Sequence, residues 1–135
     1  MQPKLFRIIL LVSDIDRAAV FYEAVLGTAG QRVSKGRHYF TDSGGTIVAC
    51  LDPQADGDSS DPQPNVEWIY FAVDNVEEAH ATCISAGATS SPGEVHGAPA
   101  GQVVVRPWGE RSVYLEDPFG NKICLVDRET MFLGT

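Results

Sequence analysis

"LLVSDIDRAAVFYEAVLG", residues 10–27, holds a strand end, a helix cap, an amphipathic helix and a stop signal in one short run. The apolar stretch it grows from, "FRIILLV" (6–12), has the length and β-branched content of a strand. Ser13 or Asp14 offers an oxygen to the unpaired amides of the next turn. Ile15, Ala18, Ala19, Tyr22 and Leu26 then recur at i, i+3, i+4, i+7 and i+11, one face of a helix, and Gly27 can take the left-handed conformation that ends it. The same grammar returns in "EWIYFAVDNVEEAHATCISAG" (67–87). Asp74 or Asn75 caps, Glu77 and Glu78 sit at the positive end of the helix dipole, and Val76, Ala79, Cys83 and Ala86 share a face before Gly87. Val12 to Val73 is 61 residues, while Asp14 to Gly27 and Asp74 to Gly87 are both thirteen, so the copies differ by one residue in their turns. Two copies are too few for a solenoid.

Short β-like pieces come after each helix: "GQRVS", "RHYFTD" and "TIVACL" in the first half, and pieces around "ATSSPGEV", "QVVVRP", "RSVYLE" and "KICLV" in the second. Each half therefore reads βαβββ. The expected organisation is one domain, 1–135, with a first module over 5–51, a linker over 52–65, a second module over 66–127 and a C-terminal tail over 128–135. The linker, "DPQADGDSSDPQPN", is polar and without apolar periodicity. It places Asp56, Asp58 and Glu67 at positions 1, 3 and 12 of a would-be calcium loop, but lacks the glycine at position 6 and contains prolines. In "RSVYLEDPFGNKICLV" the Asp117-Pro118-Phe119-Gly120 run has the residues of a type I turn between two strands. Tyr114 and Cys124 then lie on the opposite faces from Val113, Leu115, Ile123 and Leu125.

Composition narrows the function. The chain of 135 residues carries ten basic and eighteen acidic side chains, a net charge of -8, which repels nucleic-acid phosphates and suits a neutral or cationic small partner. No apolar run approaches the roughly 18 residues that span a bilayer, and the N-terminal apolar run ends at Ser13, too early for a secretory signal. No membrane partner and a cytoplasmic location are expected. Cys50, Cys83 and Cys124 are odd in number and show no CxxC spacing, so reduced thiols are expected rather than a disulfide framework or a structural zinc site.

The two βαβββ halves, "LLVSDIDRAAVFYEAVLG", "IYFAVDNVEEAHATCISAG" and "PWGERSVYLEDPFGNKICLV" together resemble the vicinal oxygen chelate superfamily of glyoxalases, extradiol dioxygenases and bleomycin-resistance proteins, over roughly residues 5–127. The resemblance implies an α+β fold in which two modules form cupped mixed sheets with their helices outside. It also implies metal ligands on the first and last strands of each module. Residue by residue these positions fall on Arg7, on Ala49 (or Cys50 with a register slip of one), on Trp68 and on Cys124. Arg, Trp and Ala offer no usable lone pair to a hard divalent ion, so no metal and no cofactor are expected.

Expected ligand contacts are Arg7, His38, Phe40, Trp68, Tyr70, Arg106, Trp108, Tyr114 and Cys124. Trp68 and Tyr70 share a strand face and make either a stacking wall or core packing. Arg7 is a lone charge among Ile9 and Leu11: turned inward it needs a carboxylate, such as Glu67 or Glu116, or an anionic ligand, and at the strand's start it can instead lie in solvent. His38 and Phe40 alternate onto one face, and Trp108 comes after Pro107 where ladder pairing breaks. A metal site built from Cys124 and His38 is the chemical alternative. Cys124 in mid-strand has neither base nor helix N-terminus to activate it, and no catalytic residue is assigned. The expected function is a metal-free protein that sequesters or carries a planar neutral or cationic compound as a homodimer. The alternatives are a metal-dependent glyoxalase-like lyase or dioxygenase with shifted ligands, and a non-catalytic subunit-interaction module.

Overall fold

In the computed structural model, which describes residues 1–134, Asp14 Oδ1 accepts the Arg17 amide at 3.1 Å and so starts helix α1 (Ile15–Leu26). Gly27, at φ +70, donates its amide to the Glu23 carbonyl and ends it, as the left-handed stop requires. The helix comes after β1 (Arg7–Leu11) and precedes β2 (Gln31–Ser34), β3 (Arg37–Thr41) and β4 (Ile47–Leu51). These strands form a sheet in the order β1-β4-β3-β2, with β1 parallel to β4 and the other pairs antiparallel. Register puts Leu10, Cys50 and His38 side by side, and likewise Ile8, Val48 and Phe40. This is the side that α1 covers with Ile15, Ala18, Phe21 and Tyr22, the Tyr22 ring standing 6.3 Å from Phe40. Phe21, outside the stripe read from the sequence, is buried in place of Ala19 and Leu26, because the contact face is rotated slightly about the helix axis.

The chain divides into two compact units between Asn65 and Val66. The segment expected as a linker begins as an ordered turn of the first unit. Asp56 accepts the Gly36 amide and the Ser34 hydroxyl, each at 2.7 Å, and Pro53 is buried. The Asp52 carbonyl approaches Gly36 so closely that a side chain there would collide with it. Composition alone hides this, because the polar side chains satisfy backbone donors of another loop.

The second unit repeats the plan with a longer excursion. After β5 (Ile69–Val73), Asn75 accepts the Glu78 amide at 3.0 Å and caps α2 (Val76–Ser85). Next come four two-residue strands, β6 (Thr89–Ser90), β7 (Glu94–Val95), β8 (Ala98–Pro99) and β9 (Val104–Val105), and two long ones, β10 (Arg111–Glu116) and β11 (Lys122–Asp127). The main sheet runs β5-β11-β10-β6, with β9 also on β10 and with β5 parallel to β11, while β7 and β8 form a separate ribbon. The fold class is thus α+β with mixed sheets, as expected. The second half departs from plain βαβββ in the 89–105 region, where Pro92, Pro99, Gly93, Gly97 and Gly101 break the ladder into short pieces. Val113, Leu115, Ile123 and Leu125 are buried on the α2 side of this sheet. A 3-10 turn (Arg128–Thr130) succeeds β11, and Thr130 Oγ accepts the Arg111 amide. Among the described residues no helix is long and apolar enough to cross a membrane.

The β10–β11 turn is built around one carboxylate. Gly120, at φ +87, donates to the Asp117 carbonyl, Asp117 Oδ1 accepts the Phe119 and Asn121 amides at 2.9 and 2.8 Å, and Oδ2 accepts the fully buried Asn121 side chain at 3.0 Å. Removing that carboxylate takes an acceptor away from three donors. Asp117→Ala is expected to lower the urea unfolding free energy by about 2–4 kcal/mol. A loss below ~0.5 kcal/mol would show that the turn's backbone holds itself.

Candidate ligand-binding site

The face of the second sheet turned away from α2 carries an aromatic cluster. Parallel pairing of β5 with β11 and antiparallel pairing of β11 with β10 set Tyr70, Cys124 and Tyr114 in one row. The Trp68 ring meets Tyr114 edge-on at 4.8 Å, Tyr70 meets it at 6.2 Å, and the two phenol oxygens are 3.4 Å apart. Tyr70 is 53% exposed, whereas Tyr114 is buried with Cys124, Val126 and Ala100. Val95 of the β7–β8 ribbon packs on this cluster, a contribution that sequence reading missed because two-residue strands leave no periodic signal. The Lys122 ammonium stands 5.6 Å from the Trp68 ring centre.

Arg106, expected among the ligand contacts, is 2% exposed and serves the scaffold. Its Nε donates to Ser112 Oγ at 3.0 Å, Nη1 to the Pro99 carbonyl at 3.2 Å, and Nη2 to the carbonyls of Ala100, Gln102 and Ser112 at 3.3, 3.1 and 2.9 Å. The guanidinium also lies 4.9 Å from the Tyr114 ring centre. A planar fork can tie three loop carbonyls to a strand in this way; a lysine cannot. Burial, aided by the bond to Tyr70, pushes the Tyr114 phenol well above its ordinary value.

In the first unit the open face keeps Arg7 but not His38 and Phe40. His38 and Phe40 do share a face, but α1 covers it: Phe40 is fully buried, His38 Nε2 bonds the Ala29 carbonyl at 2.9 Å, and Arg32 Nε donates to His38 Nδ1 at 3.3 Å. Alternation fixes which residues go together and not which side the helix takes. The uncovered face holds Arg7, Ile9, Tyr39, Ala49 and Leu51 by register. Arg7 is exposed at the start of its strand and lies over the Phe6 and Tyr39 rings, 5.1 and 5.3 Å from their centres. Tyr39 donates nothing to that contact but its ring; its hydroxyl accepts from Arg37 at 2.7 Å. Trp108, in the turn between β9 and β10, is half-buried, donates Nε1 to Glu110 at 2.6 Å and meets His96 edge-on at 5.3 Å, apart from the Trp68 cluster's contacts.

The four positions that the resemblance assigns to metal ligands are Arg7 and Ala49 in the first unit, and Trp68 and Cys124 in the second. Arg7 brings a cation, Ala49 no donor, and Trp68 an indole packed on Tyr114. Cys124 is the one residue of ligand type, and burial pushes its thiol up to about 12, far from the thiolate that binds metal. These residues do not fit a divalent ion. Among the described residues no group of three or more His, Cys, Asp or Glu side chains gathers elsewhere.

The same burial makes Cys124 a poor nucleophile, and the Cys83 thiol is likewise pushed up to about 11. Both are raised from 9.0, so folding favours the protonated thiols: their contribution to stability is complete below pH 9.0 and is lost as pH rises towards about 11 and 12. Iodoacetamide at pH 8 is expected to label native protein only at the rate of opening, and urea stability is expected to fall through that alkaline window. Rapid stoichiometric alkylation of Cys124 in folded protein would contradict this.

The comparisons with known proteins agree with this architecture. Residues 4–125 match the family described as Glyoxalase/Bleomycin resistance protein/Dioxygenase superfamily. A glyoxalase/bleomycin resistance protein from Albidiferax ferrireducens is 25% identical, with a TM-score of 0.68 over 91% of this chain and 98% of that one. A glyoxalase-related enzyme from Fulvimarina pelagi aligns over 99% and 94% at 18% identity and a TM-score of 0.73. A lactoylglutathione lyase from Agrobacterium tumefaciens aligns over 93% and 94% at 20% identity and a TM-score of 0.64. No curated protein matches. With the family matched over nearly its whole length and the mixed α+β units that the resemblance implies, this chain belongs to the glyoxalase/bleomycin resistance protein/dioxygenase superfamily, the vicinal oxygen chelate proteins.

Proposed function

We propose that this protein binds, and so sequesters or carries, a planar small molecule without a metal. The observation that carries the reading is the substitution of the ligand set: where metal-dependent members of the family need lone pairs, this chain has Arg7, Ala49, the Trp68 indole and a protonated Cys124. The superfamily's shared device, polarisation of substrate oxygens by the ion, has no support from those side chains. What replaces it is surface for stacking, since Trp68 and the half-exposed Tyr70 are held edge-on by Tyr114. A planar ligand on an indole gains about 0.5–1.5 kcal/mol beyond its buried area.

The test is a thermal-shift screen of planar aromatic compounds, repeated on Trp68→Ala. Stabilisation of the native protein by a subset of them, reduced about three- to tenfold in affinity by the substitution, is expected. One equivalent of zinc, nickel, manganese or iron retained through dialysis would move the assignment to a metal-dependent lyase or dioxygenase.

The same reading includes a twofold homodimer. Strands β1 and β5 are edges of their sheets, and Leu5, Phe6, Ile9, Val33 and Val66 are exposed apolar side chains beside them or on the uncovered face. Pairing two copies covers such edges at no cost in new sequence. Sedimentation equilibrium at tens of micromolar is expected to give twice the 14.6 kDa of the chain, and a monomer mass would remove the dimer from the proposal.

A further inference from the structure

We infer that the ligand of the second unit's open face presents an acceptor oxygen, a carbonyl or a carboxylate, to the Tyr70 hydroxyl. The inference rests on the reading that this face binds a planar compound, and it adds the chemistry of that compound. Tyr114 is 2% exposed, and its hydroxyl has the Tyr70 oxygen at 3.4 Å as its partner, the neighbouring Cys124 sulfur being a weak acceptor. A buried O–H left without an acceptor is costly, so the Tyr114 proton points to Tyr70 Oη. Tyr70 then accepts from within and turns its own proton outward, where the side chain is 53% exposed. At 3.4 Å the bond is long for a hydroxyl pair, so it orients the Tyr70 O–H more than it stabilises it.

Charge works in the same direction. The Arg106 guanidinium stands 4.9 Å from the Tyr114 ring centre, buried, with its bonds made to carbonyls and a hydroxyl rather than to a carboxylate, so its charge is not neutralised locally. Lys122 already lies over the Trp68 ring. A face of Trp68 that a cationic ligand would use is therefore occupied by the protein's own Lys122. Of the acidic groups adjoining the cluster in sequence or register, Glu116 is paired in register with Lys122, Glu110 accepts from Trp108 and the Phe132 amide, and the exposed Glu67 and Glu94 directly precede Trp68 and Val95. The net charge of -8 that favours cations acts at long range and is screened over about 8 Å in physiological salt, whereas the Tyr70 donor acts at contact.

Three compounds of one shape separate the possibilities: naphthalene-2-carboxylate, its carboxamide and its carboxamidine. Each is titrated into 15N-labelled full-length protein and followed at the Trp68 indole N–H. The carboxylate is expected to bind about tenfold tighter than the amidinium, with the amide between. Tyr70→Phe is expected to weaken the carboxylate about five- to tenfold, leave the amidinium within about twofold and erase the order. Tightest binding by the amidinium, or a carboxylate indifferent to Tyr70→Phe, would overturn the inference while leaving a planar ligand in place. No indole shift with any of the three at millimolar concentration would remove the planar-ligand reading, and this inference with it.

Discussion

Each unit lays its last strand parallel to its first, Arg7 against Ile47 in one and Ile69 against Ile123 in the other, and this pairing governs which side chains are core and which are open. With the helix leaving the first strand and the meander returning to its far side, one sheet face is covered by α1 or α2 and the other carries no helix. Side chains alternate, so the pairing decides in one stroke that Leu10, Cys50 and His38 lie beneath the helix and that Ile9, Ala49 and Tyr39 do not. A slip of one residue would exchange the two sets. The turns at Asp56 and Asp117 hold the register by giving backbone amides a carboxylate partner.

On the helix-free face of the second unit, shape depends on a charge that never reaches solvent. Arg106 binds the 99–102 carbonyls to Ser112 and lies over Tyr114, which in turn orders Trp68 and Tyr70. A buried cation is tolerated here because its donors meet carbonyl and hydroxyl oxygens. The arrangement joins scaffold to recognition: the residue that closes the loop also sets the electrostatics of the wall.

The departures from the family's ligand pattern are coherent with this. An indole where an imidazole would stand cannot share space with a metal and its waters, and it supplies stacking area instead. A thiol among aromatic rings stays protonated, so the same burial that makes Cys124 good packing makes it poor chemistry.

Much of the architecture was legible in local sequence, because the signals are local. Caps at Asp14 and Asn75, the Gly27 stop, the Asp117–Gly120 turn and period-two alternation depend on neighbours a few residues apart. So did the pairing of Trp68 with Tyr70 and the chemical unfitness of the four inherited positions. What local pattern could not decide was sidedness. His38 and Phe40 alternate like a pocket wall and lie beneath a helix, because the side that α1 takes is set by strand pairing across dozens of residues. Arg106 reads as a free charge beside a proline and is a buried clamp, because its acceptors are loop carbonyls, which have no residue signature. Residue identity determined what chemistry was available to this protein; tertiary pairing decided which of those side chains face a ligand.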